Sequence, residues 1–186
     1  MPYWGWIVIG VAAAVLVAAI VIGVRLGRSR RLRAAFGTEY DRTVEEAGSR
    51  SEAEQELRDR QKRHEQLDLQ PLSPDARDGY LEQWRVTQER FVDDPRGATM
   101  EADHLVLEVM RARGYPVEDF DRRAADISVE YPELVGNYRS AHAIAVRQSV
   151  GEATTEDLRR AFRHYRALFD ELLETDTRER LGVREG

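Results

Sequence analysis

The side chains that could carry catalysis or hold a metal are a few histidines with polar neighbours at helical spacing. Glu101 and His104 lie at i and i+3, the spacing that carboxylate-bridged di-iron bundles use. Such a site needs a second Glu-x-x-His pair, and no other histidine of the chain follows a glutamate at that spacing. Because the ligand count is too low, we predict neither a metal site nor a bound cofactor.

A second candidate is a polar cluster on one predicted helix, formed by Tyr138, Arg139 and His142. Asp126 would join it if the preceding short helix folds back. His142 could then act as a general base oriented by a carboxylate. The alternative is a histidine that is hydrogen-bonded inside the core, which is the commoner situation on a largely apolar helix face. Both interpretations stay open at this point.

The segment from Arg113 to Arg123 is a candidate recognition loop. It carries Tyr115 and Phe120 among arginines, and exposed aromatic and arginine side chains are typical anchors of protein interfaces. Alternatively, both aromatic rings close the core beneath the loop. The chain has no phosphate-binding glycine loop and no Gly-x-Ser-x-Gly elbow, so we predict no enzymatic activity and no catalytic residue.

The N-terminal segment predicts a membrane anchor over residues 1–33. Tyr3–Val24 contains no charged side chain over 22 positions, enough for a helix to cross the hydrocarbon core. Five arginines follow at once: Arg25, Arg28, Arg30, Arg31 and Arg33. The positive-inside rule places them in the cytoplasm and the N-terminus outside. A cleaved signal peptide is disfavoured because no basic residue precedes the apolar stretch and no small-residue cleavage site follows it.

The part of the chain after Arg33 is strongly acidic. All 34 acidic residues lie there, together with 23 of the 28 basic ones, which gives this part a net charge of −11. Such a charge argues against binding to a nucleic-acid backbone. The chain has no cysteine, which excludes disulfides, cysteine-ligated zinc and thiol catalysis.

We predict an all-α fold with three parts after the anchor. Residues 34–72 read as a charged helical stalk, with Ser51 as a helix N-cap and a thin apolar seam of Ala53, Leu57, His64 and Leu67. The stalk should be a solvated helix, or half of a short coiled coil if the protein dimerises. Residues 73–174 form a globular domain of five helices, and residues 175–186 a flexible tail. The helices should run over about 74–92, 95–113, 118–129, 132–148 and 154–174.

The predicted helix ends depend on local signals. Ser73-Pro74 and Asp94-Pro95 each place a capping residue before a proline at the first helical position. Thr154 begins a capping box, and Gly114 is placed to stop a helix in the left-handed conformation. Trp84 should anchor the core, and the last helix has the most regular apolar stripe, from Leu158 to Leu173.

The stretch from Trp84 to Leu173 also resembles a family of uncharacterised, membrane-anchored small proteins of GC-rich bacteria, which are often named as secreted. The resemblance is carried by Phe91-Val-Asp-Asp-Pro95, Glu101-Ala-Asp-x-Leu-Val106, Val109-Met-x-x-Arg-Gly-Tyr-Pro116, Asp119-Phe-x-x-Arg-Ala-Ala-Asp126, Asn137-Tyr-Arg-x-Ala-His142 and Thr155-Glu-Asp-Leu-Arg159. It implies a shared helical fold and a shared anchor, and it implies no activity.

These patterns together predict a single-pass protein of the inner (plasma) membrane with an acidic helical domain in the cytoplasm. The absence of catalytic motifs favours an adaptor or regulator that binds another protein, with membrane lipid around the anchor. Two alternatives stay open: a small-ligand sensor or enzyme with a polar pocket around His142, and self-assembly into a homo-oligomer through the anchor and stalk. We expect no nucleic-acid partner.

Overall fold

The chain is helical throughout the part that the structure describes, which confirms the all-α prediction. The computed structural model describes residues 4–180, apart from the side chains of residues 4–11, 13–14, 17–18, 21–22, 24–25 and 175–180. The helices of this range are α1 (Trp4–Phe36), α2 (Thr38–Ala47), α3 (Arg50–His64), α4 (Pro74–Arg90), α5 (Pro95–Ala112), α6 (Phe120–Glu130), α7 (Pro132–Ser149) and α8 (Thr155–Arg180).

Helix α1 continues through the predicted anchor and its basic flank without a break. It has 33 residues and ends at Phe36, because Gly37 turns the chain with a φ of 51°. Among the described residues, no helix combines the length and the apolar character that a membrane crossing needs. Most side chains of the predicted anchor Tyr3–Val24 lie outside the described residues. Of those that are described, Val15 and Leu16 are 63% and 62% exposed.

The chain divides into two compact units, Met1–Leu57 and Arg58–Gly186, and α3 contributes to both. In the first unit a network of side-chain hydrogen bonds joins α1, α2 and α3. The Ser29 hydroxyl donates to Glu54 Oε1 over 2.5 Å, and the Tyr40 hydroxyl donates to the same oxygen over 3.0 Å. Arg50 Nε donates to both Tyr40 Oη and Glu54 Oε1. These bonds fix the end of α1 against the two helices that follow it.

The stalk prediction needs two corrections in this unit. Ala53 and Leu57 are fully buried, so this part of the chain is packed and not a solvated helix. The sequence undervalued the seam because the apolar pattern of one helix does not show what packs against it. The N-cap of α3 is also not Ser51: the Ser49 hydroxyl accepts from the Glu52 amide over 3.2 Å, and Ser51 lies inside the first turn.

The second unit is a helical bundle built around α8. Helices α5 and α7 both pack on α8, α4 packs on α5, and α6 packs on α7. Every residue of the predicted α8 stripe is buried, and Trp84 is buried as predicted. The core also includes the inward stripe of α5, namely Ala98, Ala102, Leu105, Val106, Val109 and Met110. The five predicted helices are therefore confirmed.

Local signals set most of the helix ends, as the sequence predicts. The Ser73 hydroxyl accepts from the Ala76 amide, and the Asp94 carboxylate accepts from the Gly97 amide over 2.8 Å. Thr154 and Asp157 exchange the two hydrogen bonds of a capping box. Since each cap satisfies amides that the helix itself leaves unpaired, it stabilises its helix start by about 1 kcal/mol.

Helical spacing in the sequence places Leu81, Val92 and Met100 on the inward faces of their helices, and this prediction is wrong, as is one predicted helix end. Leu81, Val92 and Met100 are exposed. Met100 is turned away because 100° per residue carries it off the stripe that its α5 neighbours define. Helix α8 continues to Arg180, past the predicted end at Glu174, because no glycine or proline interrupts residues 175–180. The rest of the predicted flexible tail, residues 181–186, lies outside the described residues.

Replacing Gly114 by alanine should destabilise the second unit more than replacing Gly151. Both glycines have positive φ, 98° and 81°. A Cβ at Gly114 would lie 2.5 Å from the backbone oxygen of Asp68, whereas at Gly151 nothing lies within 4 Å. Gly151→Ala should cost about 1–2 kcal/mol through backbone strain alone. Gly114→Ala should cost at least about twice that, because the Asp68 loop must also move.

Urea denaturation of the full-length variants in detergent micelles, followed by circular dichroism, measures the difference. Equal losses for the two variants would contradict the close approach of Asp68 to Gly114.

Candidate functional site

A fully buried arginine organises the polar interior of the second unit. Five side chains meet there and define the Arg113 cluster: His64, Arg113, Tyr115, Glu130 and Tyr131. Arg113 Nη1 donates to Tyr131 Oη over 2.8 Å and to the backbone oxygen of Leu172 over 3.2 Å. Its Nη2 lies 3.8 Å from Glu130 Oε1. One guanidinium therefore connects the end of α5, the α6–α7 junction and α8.

Glu130 is the acidic centre of the Arg113 cluster. Its carboxylate accepts hydrogen bonds from the Tyr115 hydroxyl and, over 3.0 Å, from the Tyr131 hydroxyl. His64 Nε2 lies 3.5 Å from Glu130 Oε2. The Tyr131 hydroxyl thus accepts from Arg113 and donates to Glu130, so the cation and the anion are joined both directly and through a shared phenol.

The local sequence places Arg113 where its side chain can turn inward. Tyr115 N donates to Met110 O over 2.9 Å, and Gly114 N donates to Arg111 O over 3.0 Å. These two bonds form a Schellman motif, which needs the left-handed glycine at Gly114. The Arg113 carbonyl also accepts from the Gln70 amide. The turn that ends α5 therefore also holds the loop that leads into α4.

Burial and charge act in opposite directions on the two ions. Burial raises the pKa of Glu130, but the nearby His64 imidazole, the hydrogen bond from Tyr115 and the charge of Arg113 outweigh it, and the resulting pKa lies below the usual range. Burial lowers the pKa of Arg113, and Tyr131, Tyr115 and Glu130 raise it again to above its ordinary value. Both groups stay charged at neutral pH. Since Arg113 has no exposed surface, the Arg113 cluster braces the fold.

A second polar group lies around the histidine that the sequence singled out. It defines the His142 cluster: Asp103, Phe120, Arg123, Tyr138, His142 and Tyr165. Arg123 Nε donates to Tyr138 Oη over 2.9 Å, and Arg123 Nη1 donates to the backbone oxygen of Val117. The Phe120 ring stacks on the His142 imidazole with centroids 3.6 Å apart and an angle of 11°. Tyr138 meets Tyr165 edge to face at 6.3 Å.

The His142 cluster contains groups with shifted pKa values. Burial lowers the pKa of His142, against the opposing charge of Asp103, so the imidazole is neutral at pH 7. Burial raises the pKa of Asp103, although Tyr165 and His142 favour its charged form. Burial raises the pKa of Tyr138 to about 12. A neutral imidazole near a carboxyl group could move a proton, but Phe120 covers one face of the ring.

The structure places Asp126 away from His142, which corrects the predicted cluster. Burial raises the pKa of Asp126, and the charges that oppose this shift belong to Arg63, Arg122, His64 and Arg60. Asp126 therefore lies on the side of α6 that faces the end of α3. The carboxyl group beside His142 is that of Asp103, on α5. Arg139 is half-buried on α7.

The Glu101–His104 pair does not converge on a common point. His104 is exposed and pairs instead with Glu108, at 3.2 Å and i+4. Glu101 lines a surface groove beside α4. Within the described part of the chain, no group of three histidine, aspartate or glutamate side chains could hold a metal ion.

The predicted recognition loop closes the core and does not present its aromatic rings. Tyr115 is buried in the Arg113 cluster, and Phe120 packs half-buried on His142 and Tyr138. Of the two interpretations of this segment, the structure supports the core-closing one. The aromatic rings lie under the loop because the polar groups they contact, Glu130 and Arg123, are themselves inside.

Two surface grooves border α4. The α4–α8 groove has a volume of about 260 Å³ and is lined by Gln88, Phe91, Arg159, Phe162, Arg163 and Arg166. The α4–α5 groove has a volume of about 340 Å³ and is lined by Glu82, Gln83, Val86, Thr87, Arg90 and Glu101. Trp84 packs on Phe162 beneath the α4–α8 groove and stacks on Phe169 with ring centroids 4.5 Å apart. Sequence analysis anticipated neither groove.

Asp103 and Glu130, the two acids on which the polar clusters depend, are not evident from the sequence. The signal for Asp103 is weak: it lies one position after Ala102, which belongs to the buried stripe of α5. Glu130 is the last residue of α6, where an acid has no special local role. Their partners Tyr165 and Arg113 are distant in sequence, so no spacing rule could have paired them.

Comparison of the chain with protein-family models, with curated proteins and with solved structures finds no match. The family resemblance drawn from the motifs between Trp84 and Leu173 therefore stays a prediction.

Replacing Arg113 by methionine should destabilise the second unit strongly. Methionine fills similar volume, but Glu130 would be left buried without its cation and Tyr131 and Leu172 without their donor. The expected loss is about 3–5 kcal/mol of the free energy of unfolding.

Arg111→Met is the matched control, since Arg111 is exposed on the same turn, and it should change stability by no more than about 0.5 kcal/mol. Urea titration monitored by Trp84 fluorescence in a Trp4→Phe, Trp6→Phe background measures both. A similar small effect for both variants would contradict the bracing role.

Replacing Asp103 by asparagine should stabilise the protein at neutral pH and leave it unchanged at low pH. Because the folded-state pKa of Asp103 is raised, its favourable contribution is complete below the unfolded value of about 3.9 and is lost as pH rises through the folded value. The stability difference between Asp103→Asn and wild type should therefore grow from about pH 3.5 to 7. Thermal melting at several pH values measures it, and a difference that shrinks with rising pH would contradict the raised pKa.

Proposed function

We propose that this chain is a single-pass membrane protein whose acidic helical domain binds another protein in the cytoplasm. The domain acts as an adaptor or regulator held at the inner leaflet. The observation that carries the interaction role is a contrast within the second unit. Its polar side chains that could carry chemistry are packed inside, whereas four of the six large apolar side chains that are exposed among its described residues lie between positions 81 and 100.

The exposed apolar side chains concentrate between residues 81 and 100. Leu81, Val86, Val92 and Met100 are all exposed there, with Val92 at 84% and Met100 at 66%. Single exposed apolar residues are normal, but a concentration of them next to a groove is typical of a surface that another protein covers. Val86 itself lines the α4–α5 groove. We therefore assign the partner-binding surface to α4 and the start of α5.

The membrane assignment is supported by the sequence and by the helix that it forms. Twenty-two uncharged positions precede five arginines, and the backbone from Trp4 to Phe36 is one continuous helix. A helix satisfies its own backbone hydrogen bonds, which a lipid-embedded segment must do. Val15, Leu16 and Ile20 are exposed along it and would be covered by lipid. The arginines orient the acidic domain toward the cytoplasm.

The alternative of an enzyme or ligand sensor at His142 has weaker support. Phe120 stacks on the imidazole, and the Tyr138 hydroxyl is occupied by Arg123. Asp126, which the predicted pocket needed, lies among the charges of the α3 end. The groups of the His142 cluster contact one another, which is the arrangement expected of a core network.

Single cysteines in this cysteine-free chain should test topology and partner binding together. Val86→Cys lies on the proposed surface, and Arg122→Cys, exposed on α6, is its matched control. In protoplasts, a membrane-impermeant maleimide should label neither variant until the membrane is opened, whereas Pro2→Cys should react at once. In inside-out membranes, a benzophenone attached at Val86→Cys should crosslink to one recurrent protein on illumination, and the same group at Arg122→Cys should not.

Each half of the proposal has its own contrary result. Labelling of Val86→Cys in intact protoplasts would place the domain outside and contradict the topology. Equal crosslinking from the two positions, or none from either, would contradict a partner surface on α4. Crosslinks only between copies of this chain would replace the adaptor role by self-assembly.

A further inference from the structure

We propose that the α4–α8 groove binds an acidic segment of the partner protein, with one bulky apolar side chain in the groove and flanking carboxylates on its arginines. This inference rests on the proposed function and specifies the chemistry of the partner. It is carried by an aromatic floor, an arginine rim and the charge of the domain around them.

The floor of the groove is aromatic and rigid. Phe91 and Phe162 line it with ring centroids 4.9 Å apart, and Trp84 packs behind Phe162 at 5.2 Å. Trp84 is fixed in turn by stacking on Phe169. The volume of about 260 Å³ lies below the range of about 300–1,000 Å³ typical of small-molecule sites. A single anchoring side chain of a peptide suits this recess better than a whole cofactor.

The rim of the groove is cationic. Arg159, Arg163 and Arg166 lie at i, i+4 and i+7 on α8, so they share one face. Arg166 is held in place, because its Nη1 donates to Gln88 Oε1 over 2.7 Å and its guanidinium lies 5.7 Å from the Trp84 ring centroid. No carboxylate lines the groove. The rim therefore presents preorganised donors of the kind that carboxylates accept in bidentate fashion.

The acids that contact the rim arginines lie on α8 itself. Glu156 pairs with Arg159 and lies 3.9 Å from Arg163, and Asp170 pairs with Arg166 at 2.6 Å. These pairs are exposed, and exposed ion pairs contribute only about 0–1 kcal/mol. Since each guanidinium carries five N–H donors, a partner carboxylate can join or replace these bonds. Arg163 is the most accessible of the three, with 68% of its side chain exposed.

The charge of the surroundings decides between a peptide and a lipid surface. The part of the chain after Arg33 has a net charge of −11, so it is repelled by an anionic leaflet as a whole. A flat headgroup layer would also leave the concave aromatic floor unfilled. A narrow acidic segment meets the same repulsion, but it can place its carboxylates in direct contact with the rim arginines, while the more distant acidic charges are screened by salt.

The test uses the full-length protein in discs of neutral lipid and a fluorescein-labelled peptide of nine residues. The probe carries one central phenylalanine and two glutamates on each side. Two matched peptides replace either the glutamates by glutamine or the phenylalanine by glycine. Fluorescence anisotropy should show that the probe binds at least about 10-fold more tightly than either matched peptide, because both the anchor and the charges are needed.

Arg163→Glu is the decisive variant, and Arg160→Glu is its control. Arg160 is exposed on the same helix but does not line the groove. Arg163→Glu should weaken probe binding by about 10-fold or more, and Arg160→Glu by no more than about twofold at 0.15 M salt, where charges beyond about 8 Å are screened. Circular dichroism checks that both variants keep the fold.

The inference is overturned if the three peptides bind equally, if none binds, or if the two charge reversals have the same effect. Binding of the protein to anionic vesicles that Arg163→Glu abolishes, without discrimination among peptides, would assign the rim to the membrane surface instead. The same experiments distinguish a failure of this inference from a failure of the proposed function. If peptide discrimination is absent while the Val86→Cys crosslink persists, the groove assignment falls and the partner surface stands.

Discussion

The buried guanidinium of Arg113 is the constraint on which the rest of the second unit depends. A charge with no exposed surface must be fully compensated, and the groups that compensate it come from three separate segments. Glu130 and Tyr131 lie at the junction of α6 and α7, and Leu172 lies on α8. His64, at the end of α3, acts through Glu130, which its imidazole approaches to 3.5 Å. Because the Arg113 side chain can be satisfied only when all of them are in place, it makes the positions of these helices depend on one another.

Helix α8 contributes both to the core of the second unit and to the α4–α8 groove on its surface. Its inner face supplies the core, including Phe169, and its outer face carries the arginines beside α4. Trp84 connects the two, since it stacks on Phe169 within the core while Arg166 lies over its ring. The floor of the α4–α8 groove is therefore an extension of the packed interior. A recess supported in this way keeps its shape before a ligand arrives, which lowers the entropy lost on binding.

His142 and Tyr138, which the sequence offers as a polar pocket, and Tyr115, which it offers as an interface anchor, all contact other side chains of the interior in this structure. His142 is stacked on Phe120, Tyr138 accepts from Arg123, and Tyr115 donates to Glu130. In a small bundle, a buried polar side chain needs a partner, so such residues occur in groups that resemble sites when only one helix is considered. The chemistry of a group depends on whether a substrate can reach it, and that is a property of the packing around it.

The sequence by itself determined the five helices of the second unit and most of their ends. Ser73, Asp94 and Gly114 act on neighbours within a few residues, so their effects are local and readable. The tertiary structure alone decided which polar groups meet. Arg113 with Glu130 and Asp103 with Tyr165 join residues on different helices, and a periodic pattern indicates the buried face of a helix but not what lies opposite it. That is the physical reason why the five helices of the domain could be predicted, whereas the Arg113 cluster and the α4–α8 groove could not.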